Sequence, residues 1–352
     1  MSHNELRIGI IGAGDVAVRH LEGLLRVGGV RLTALAEPNE ERRLTFARSA
    51  GIELAVADYK ILLASREVDV ILLLTPHNLH TSIACEALRA GKHVICEKPM
   101  SPILADCDRM LDTAKECDRE LHITHSLRED FFYRIASKRI AEGALGKPLG
   151  ASFLWYTDEE SRLNDPRHWK GTKSGSGGGV LIDGGCHVAD LANAFFGRAR
   201  QVTAIASKLV AARPEVAEDT AAFAIEYDSG ALVSIFLSFT AGSSLSRIGG
   251  FAAGMEATVF GTEGSLEGGY TYRDGVFPRW CTERHKGHGD VDHPYDGKLL
   301  SGDIDVSILR ALQKKAPPPL TAFDARNAVA VVDAAYQALG SGRNAEVDWR
   351  DE

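Results

Sequence analysis

Three runs in the 352-residue sequence combine residue types that can move protons or hold phosphate. The first is Glu97-Lys98-Pro99, which ends the apolar run at 93–96. A lysine at the carboxyl end of a buried strand can hydrogen-bond a substrate oxygen and favour negative charge developing there. A solvated Glu-Lys pair explains the same letters. The second run follows the glycines at 175–179 and carries Asp183 and His187, four positions apart. On one helix the two side chains would share a face. A carboxylate beside an imidazole holds one tautomer and raises its basicity, which suits a general base. Asp183 as a plain helix N-cap, with His187 a satisfied core histidine, fits that spacing as well. The third run is Gly12-Ala13-Gly14-Asp15-Val16-Ala17, a G-x-G-x-x-A turn. Its first glycine permits a tight turn, its second lets the backbone approach a pyrophosphate, and Ala17 allows close helix–strand packing.

Other residues extend these runs. The second apolar run, 31–36, ends at Glu37, about 20 residues past the glycines, where a carboxylate accepts from ribose hydroxyls and repels a 2′-phosphate. NAD is therefore favoured over NADP. Arg42 and Arg43, one turn on, could reach a 2′-phosphate or simply face solvent. Thr75, Pro76, His77 and His80 follow the run at 68–74. The two histidines sit where a helix N-terminus disfavours a protonated ring. They either contact the nicotinamide end of the cofactor or cap the helix. His285, His288 and His293 cluster in a polar stretch near Trp280 and Tyr295. Without an acidic ligand on regular structure they read as a loop that covers substrate or packs, and no metal site is expected.

These residues need a scaffold. Strand-like runs at 6–11, 31–36, 53–56, 68–74, 93–96 and 121–124 alternate with helical runs at 15–27, 58–65, 77–90 and 102–117. That alternation predicts an α/β Rossmann domain, a doubly wound parallel sheet, over 1–124. Ligands bind such sheets at the carboxyl ends of the strands, which is where the first and third runs fall. Past a helix at 127–142 the pattern changes to strands at 149–156, 201–209, 220–227, 231–240, 249–260 and 265–272. Asp228-Ser229-Gly230 reads as a hairpin turn. Residues 125–352 are thus expected to form an α+β domain with an open, mainly antiparallel sheet. Its free face is either solvated or pairs subunits. A helix at 303–315 and a last helix from about 324 to 340 follow, the latter capped by Asp324 and either staying with the second domain or packing back on the first, with Arg326 on its polar side.

Composition narrows the classes. Apolar residues make up 45% and the net charge is −8, which argues against nucleic acid as the main partner. No run of about 20 apolar residues is present, so no membrane span is expected. The start is polar and leads directly into the first strand, which reads as cytoplasmic. Six cysteines without C-x-x-C spacing fit reduced, structural thiols.

Taken together these motifs resemble the glucose-fructose oxidoreductase/inositol dehydrogenase/MocA (Gfo/Idh/MocA) family. The carriers are the opening 8–14 run, Thr75-Pro76-His77-Asn78-Leu79-His80, Ala90 to Pro99, Gly143-Ala144-Leu145-Gly146, Gly177 to Asp183 with His187, and Asp333-Ala334-Ala335-Tyr336. The resemblance implies NAD or NADP, a sugar or cyclitol substrate, and dimers or tetramers built through the open sheet. It matches Lys98 to the lysine of the E-K-P motif and Asp183 and His187 to the D-x-x-x-H pair. His77 departs from the family, which often has asparagine there. The resulting expectation is an oxidoreductase moving hydride between a nicotinamide and a secondary alcohol or ketone. His187 would take the hydroxyl proton, Lys98 would stabilise the oxygen, and Asp183 would orient the base. His125, Arg128, Trp155, Trp169 and Lys170 are candidate pocket residues, or else ordinary packing and surface charge. Two other classes remain: a redox-neutral NAD-dependent glycoside hydrolase or eliminase, and a cofactor-binding sensor or scaffold without turnover.

Overall fold

Leu6–Ile11 (β1), Val30–Ala36 (β2), Leu54–Val56 (β3), Val70–Leu73 (β4), His93–Glu97 (β5) and Leu121–Thr124 (β6) form one parallel sheet in the order β3-β2-β1-β4-β5-β6. This is the doubly wound order with its switch between β1 and β4. β4 is buried at every position and reads Val-Ile-Leu-Leu, as a strand covered on both faces must. The computed structural model describes residues 5–240, 252–273, 279–287, 289–295 and 302–352.

The crossover helices include Asp15–Leu24, Glu40–Ala50, His80–Arg89 and Leu104–Glu116. Asn39 caps the second of these, its side chain accepting from the Arg42 N–H at 2.9 Å. β5 stops at Glu97, one residue before the Lys98–Pro99 peptide, which is cis.

A nine-stranded, mainly antiparallel sheet follows. Its strands are Pro148–Thr157 (β7), Ala199–Ser207 (β8), Thr220–Tyr227 (β9), Leu232–Ser238 (β10), Ala252–Gly261 (β11), Gly264–Arg273 (β12), Arg279–His285 (β13), Val291–Asp292 (β14) and Ala345–Glu346 (β15). β9 and β10 form the hairpin about Asp228-Ser229-Gly230, whereas β10 pairs with β7 in parallel. The expected strand start at Gly249 lies outside the described residues. Helices Phe131–Ala141 and Gly185–Phe196 pack on one face of this sheet, over Phe153, Phe223, Ile235, Leu237 and Met255.

The chain divides into two compact units, Met1–Ser126 with Leu300–Ala325, and Leu127–Leu299 with Arg326–Glu352. The sequence pattern alone puts a boundary near Thr124 and gives no sign that a later segment, carrying helix Asp303–Leu312, joins the first unit. Among the described residues no helix is long and apolar enough to cross a membrane.

Three local expectations change. The last helix runs Ala322–Ser341, so Asp324 sits inside its first turn rather than capping it. Thr321 is the cap: its hydroxyl accepts from the Asp324 N–H at 3.2 Å, and the Asp324 carboxylate accepts from the Thr321 N–H at 2.8 Å. Arg326 is buried, not on a polar face. Its guanidinium donates to the Asp348 carbonyl and carboxylate, which satisfy a charge that could not otherwise be buried. His285 ends β13, and His293 lies just past β14. Both rings meet the buried Glu283 carboxylate, at 2.7 and 2.9 Å, and Arg139 pairs with the same group. The acid was therefore present on regular structure, two residues before His285. His288 lies outside the described residues.

Candidate active site

In the first unit the candidate residues collect at the carboxyl ends of adjacent strands. Gly12 leaves β1 at φ +99°, and a Cβ there would meet the Leu74 carbonyl oxygen at 2.6 Å, so only glycine makes this turn. Among the described residues, its two chain neighbours aside, nothing lies within 4 Å of a Cβ built on Gly14. Gly14 is the N-cap of helix Asp15–Leu24 and supplies no side chain to it. The turn thus presents open backbone at a helix N-terminus, with Asp15 and Val16 as its first residues, which fits a pyrophosphate. Glu37, at the end of β2, accepts from the Ala13 N–H at 2.9 Å and the Asn39 N–H at 2.8 Å. These bonds hold its carboxylate against the glycine turn, where ribose hydroxyls fit. Arg43 is turned inward: its guanidinium donates to the Glu37 carbonyl at 2.7 Å and the Pro38 carbonyl at 3.2 Å.

The segments after β4 and β5 are tied together by His80. Its ring nitrogens lie 2.9 Å from the Pro99 carbonyl oxygen and 3.0 Å from that of Thr75. His80 is fully buried, and burial lowers its pKa. Desolvation leads this shift, ahead of the ring's neighbours, so the helix terminus is not needed to explain it. His80 therefore sits between Thr75 and Pro99, and its neutral ring donates to one of the two carbonyls. His77 is buried beside it, ring centroids 5.8 Å apart. Lys98 is half-buried at the end of β5, and His125 is fully buried just past β6.

A third group joins this unit that sequence reasoning missed. His20, on the helix after the glycine turn, places Nδ1 2.8 Å from Asp305 and Nε2 3.1 Å from Glu97. Asp305 comes from helix Asp303–Leu312 and is wholly buried. One signal was available. Asp305 stands among Ile304, Ile308 and Leu309, an acid where helical periodicity asks for an apolar residue.

The second unit gathers a different set. The helix expected to carry both Asp183 and His187 is two pieces, Val180–Asp183 and Gly185–Phe196, joined at Gly184. Asp183 closes the first piece and is not an N-cap. Gly184 keeps right-handed helical dihedrals, so the chain turns on with little break. Asp183 accepts from Lys170 Nζ at 2.9 Å, and the same ammonium lies 3.3 Å from Glu159. Arg162 also meets Glu159, at 3.0 Å. The Lys170 ammonium sits 5.8 Å from the Trp169 ring and 5.7 Å from that of Phe239. Trp155 packs edge-on against Phe239 at 6.3 Å and covers Gly184, where a Cβ would fall 2.5 Å from the indole. Asp183 and His187 are both buried, at 5% and 8% exposure, while the Lys170 side chain keeps 16%. Of the pocket candidates, Trp155, Trp169 and Lys170 therefore lie in one polar–aromatic cluster with Asp183.

Arg128 does not join that cluster. It makes a two-pronged pair with Asp190, at 2.7 and 2.8 Å, and donates to the Tyr133 hydroxyl. Both charged side chains are buried, so the pair fixes the start of helix Phe131–Ala141 to helix Gly185–Phe196. Among the described residues no group of three or more His, Cys, Asp and Glu is arranged to hold a metal ion.

Known proteins match both units. Residues 6–125 match the model of an oxidoreductase family with an NAD-binding Rossmann fold, and residues 133–267 match the GFO/IDH/MocA C-terminal domain. The chain is 27% identical to a 1,5-anhydro-D-fructose reductase of Ensifer adhaerens, over 97% of this chain and 98% of that one. It is 30% identical to a myo-inositol 2-dehydrogenase of Thermotoga maritima, over 64% of this chain and 66% of the relative. Among solved structures, the WlbA dehydrogenase from Bordetella pertussis, in complex with NADH and UDP-GlcNAcA, superposes with a TM-score of 0.82 at 21% identity, covering 98% of this chain and all of that one, 100%. With a doubly wound cofactor sheet, an open antiparallel sheet and both family models matched in order, the chain belongs to the Gfo/Idh/MocA family of NAD(P)-dependent oxidoreductases.

Proposed function

We propose that the protein oxidises a secondary alcohol of a sugar or cyclitol, or reduces the matching ketone, with NAD. The observation that carries this reading is the shared edge of the parallel sheet. The glycine turn leaves β1, Glu37 follows β2, and Glu97 ends β5 with Lys98 next, all at carboxyl ends. The substrate class is supported by the relatives named for anhydrofructose and inositol. NAD is preferred over NADP because the Glu37 carboxylate is held against the glycine turn and Arg43 is engaged by backbone carbonyls.

Bound nicotinamide would supply the hydride acceptor or donor. The Gly12–Val16 backbone and Glu37 bind and orient the cofactor; Thr75, Pro76, His77 and His80 shape the segment beside it. Lys98 donates to the reacting oxygen and favours its negative charge. His187 holds the hydroxyl proton as general base. Asp183, paired with Lys170, is a fixed carboxylate that orients the base or a neighbouring hydroxyl. Trp155, Trp169 and Lys170 line the sugar side.

Two copies are proposed to pair through the free face of the antiparallel sheet. Ile205, Ala222, Phe236 and Leu154 fall in one register row across β8, β9, β10 and β7. Ile205 is 73% and Phe236 42% exposed, an apolar row that association would bury. The test of function is a panel of polyols, sugars and keto-sugars with NAD and NADP, following nicotinamide absorbance and product together. Turnover of a polyol with NAD supports the reading. Bond cleavage without net NADH, or binding of NAD with no turnover across the panel, overturns it.

A further inference from the structure

We propose that His20 is a positioning residue for the Glu97-Lys98 strand end, acting through a buried bridge from Asp305 to Glu97. The inference rests on the dehydrogenase reading for its kinetic part and on geometry alone for the bridge.

The bridge joins three distant parts of the chain. His20 lies on the helix that begins at the glycine turn, Glu97 ends β5, and Asp305 lies on the segment Leu300–Ala325 that rejoins this unit late in the chain. The Nδ1 atom of His20 lies 2.8 and 2.9 Å from the two Asp305 oxygens, and Nε2 lies 3.1 Å from Glu97. The two helices approach closely: a Cβ on Gly23 would fall 2.2 Å from the Gly302 carbonyl oxygen. Glycine at both positions is what lets Asp305 reach the ring.

Contacts on both ring nitrogens require two protons among the three groups, since facing lone pairs repel. The imidazole donates both, one to each carboxylate, and the set carries one net negative charge. Burial works against a charged ring, yet the carboxylates of Asp305 and Glu97 overcome it and push His20 from 6.5 up to about 10. Arg26 also faces the set, its charge acting on Asp305 and its guanidinium pairing with Asp303 at 2.8 Å, and on the other side the Glu97 charge acts on His80. Burial raises Asp305, and the His20 charge opposes that rise.

The consequence is positional. Glu97 precedes Lys98 in the chain, so holding its carboxylate holds the peptide from which Lys98 projects. A loosened strand end misplaces the ammonium while leaving the glycine turn and Glu37 untouched. Displacements of about 1 Å remote from the chemistry can cost on the order of 100-fold in rate.

The experiment uses the full chain with NAD bound, as wild type, His20→Gln and Asp305→Asn. Nitrogen-15 spectra of the ring nitrogens at pH 8.5 report protonation directly. His20, identified by its loss in His20→Gln, should show an imidazolium signature in the wild type and lose it in Asp305→Asn. Both variants should lower kcat by about 10- to 100-fold, while KM and the NADH dissociation constant stay within about threefold, a split that general loosening of the fold would not give. A neutral His20 ring at pH 8.5 overturns the bridge. Wild-type kcat in both variants overturns the positioning role. Should the wild type turn over nothing, the kinetic role falls with the dehydrogenase reading, and the ring-nitrogen signature still decides the bridge.

Discussion

Each unit buries a cation between two carboxylates, and the two clusters differ in which member reaches solvent: a carboxylate, Glu97, in the first and the cation, Lys170, in the second. In the first, His20 sits between Asp305 and Glu97, with side-chain exposures of 5%, 0% and 14%. In the second, Lys170 sits between Asp183 and Glu159, and the ammonium side chain is the most exposed of the three at 16%. The first is closed by strand and helix packing and has a short, planar cation. The second has a flexible stem against aromatic rings. A sealed charge cluster holds backbone in place, because moving any member leaves a buried charge unpaired. A cluster whose ammonium is its most exposed member keeps that cation in reach of a polar ligand. The chemistry proposed here needs one of each.

The sharpest way to break this comparison is to remove the reacting groups themselves. Lys98→Ala and His187→Ala should each lower kcat by about 10² to 10⁴, with NADH binding, followed by its fluorescence, little changed. Full activity in both would remove their assignment and leave the clusters purely structural. Next in size is Asp305→Ala, which strands the His20 charge in the sealed cluster and should cost about 3–5 kcal/mol in denaturant unfolding. A loss below about 1 kcal/mol, the range of surface pairs, would show that the buried bridge does not hold this strand end.

The sealed cluster also predicts a pH dependence. Because the folded pKa of His20, about 10, lies above its ordinary 6.5, the stability it contributes is complete below about 6.5 and is lost as pH climbs through 10. The melting temperature of the wild type should exceed that of His20→Gln most at neutral and lower pH, and the gap should shrink toward pH 10. A gap that widens with pH would show the opposite sign of shift.

Smaller effects probe the supports. Gly184→Ala drives a methyl group into the Trp155 ring beside Asp183 and should cost about 1–3 kcal/mol, with a shift in tryptophan fluorescence. Thr321→Ala removes the capping pair with Asp324 in the segment that carries Asp305. It should cost about 1 kcal/mol by thermal melting and leave kcat unchanged.

Much of this molecule was readable from its letters. The glycine turn, Glu37 and the Lys98 strand end were legible because each depends on residues within one βα unit. The helical spacing of Asp183 and His187 was legible too, although the break at Gly184 was not, since it answers to the Trp155 ring about thirty residues earlier. Arg326 looked solvent-facing because its partner, Asp348, lies beyond the end of its own helix. Glu283 was overlooked beside His285 because a strand places both on one face only once β13 is known to exist.

By itself, then, the sequence determined the alternation of strands and helices, the glycine turn and the family. Hydrogen bonding along a strand, a tight turn and a helix start all involve near neighbours, so their residue preferences survive in a linear reading. Only the tertiary structure decided that His20 meets both Glu97 and Asp305, that Lys170 answers Asp183, and that Arg128 is taken by Asp190. Those pairings follow from which helix packs on which strand. That choice is made by burial summed over whole elements and leaves no spacing rule behind in the chain.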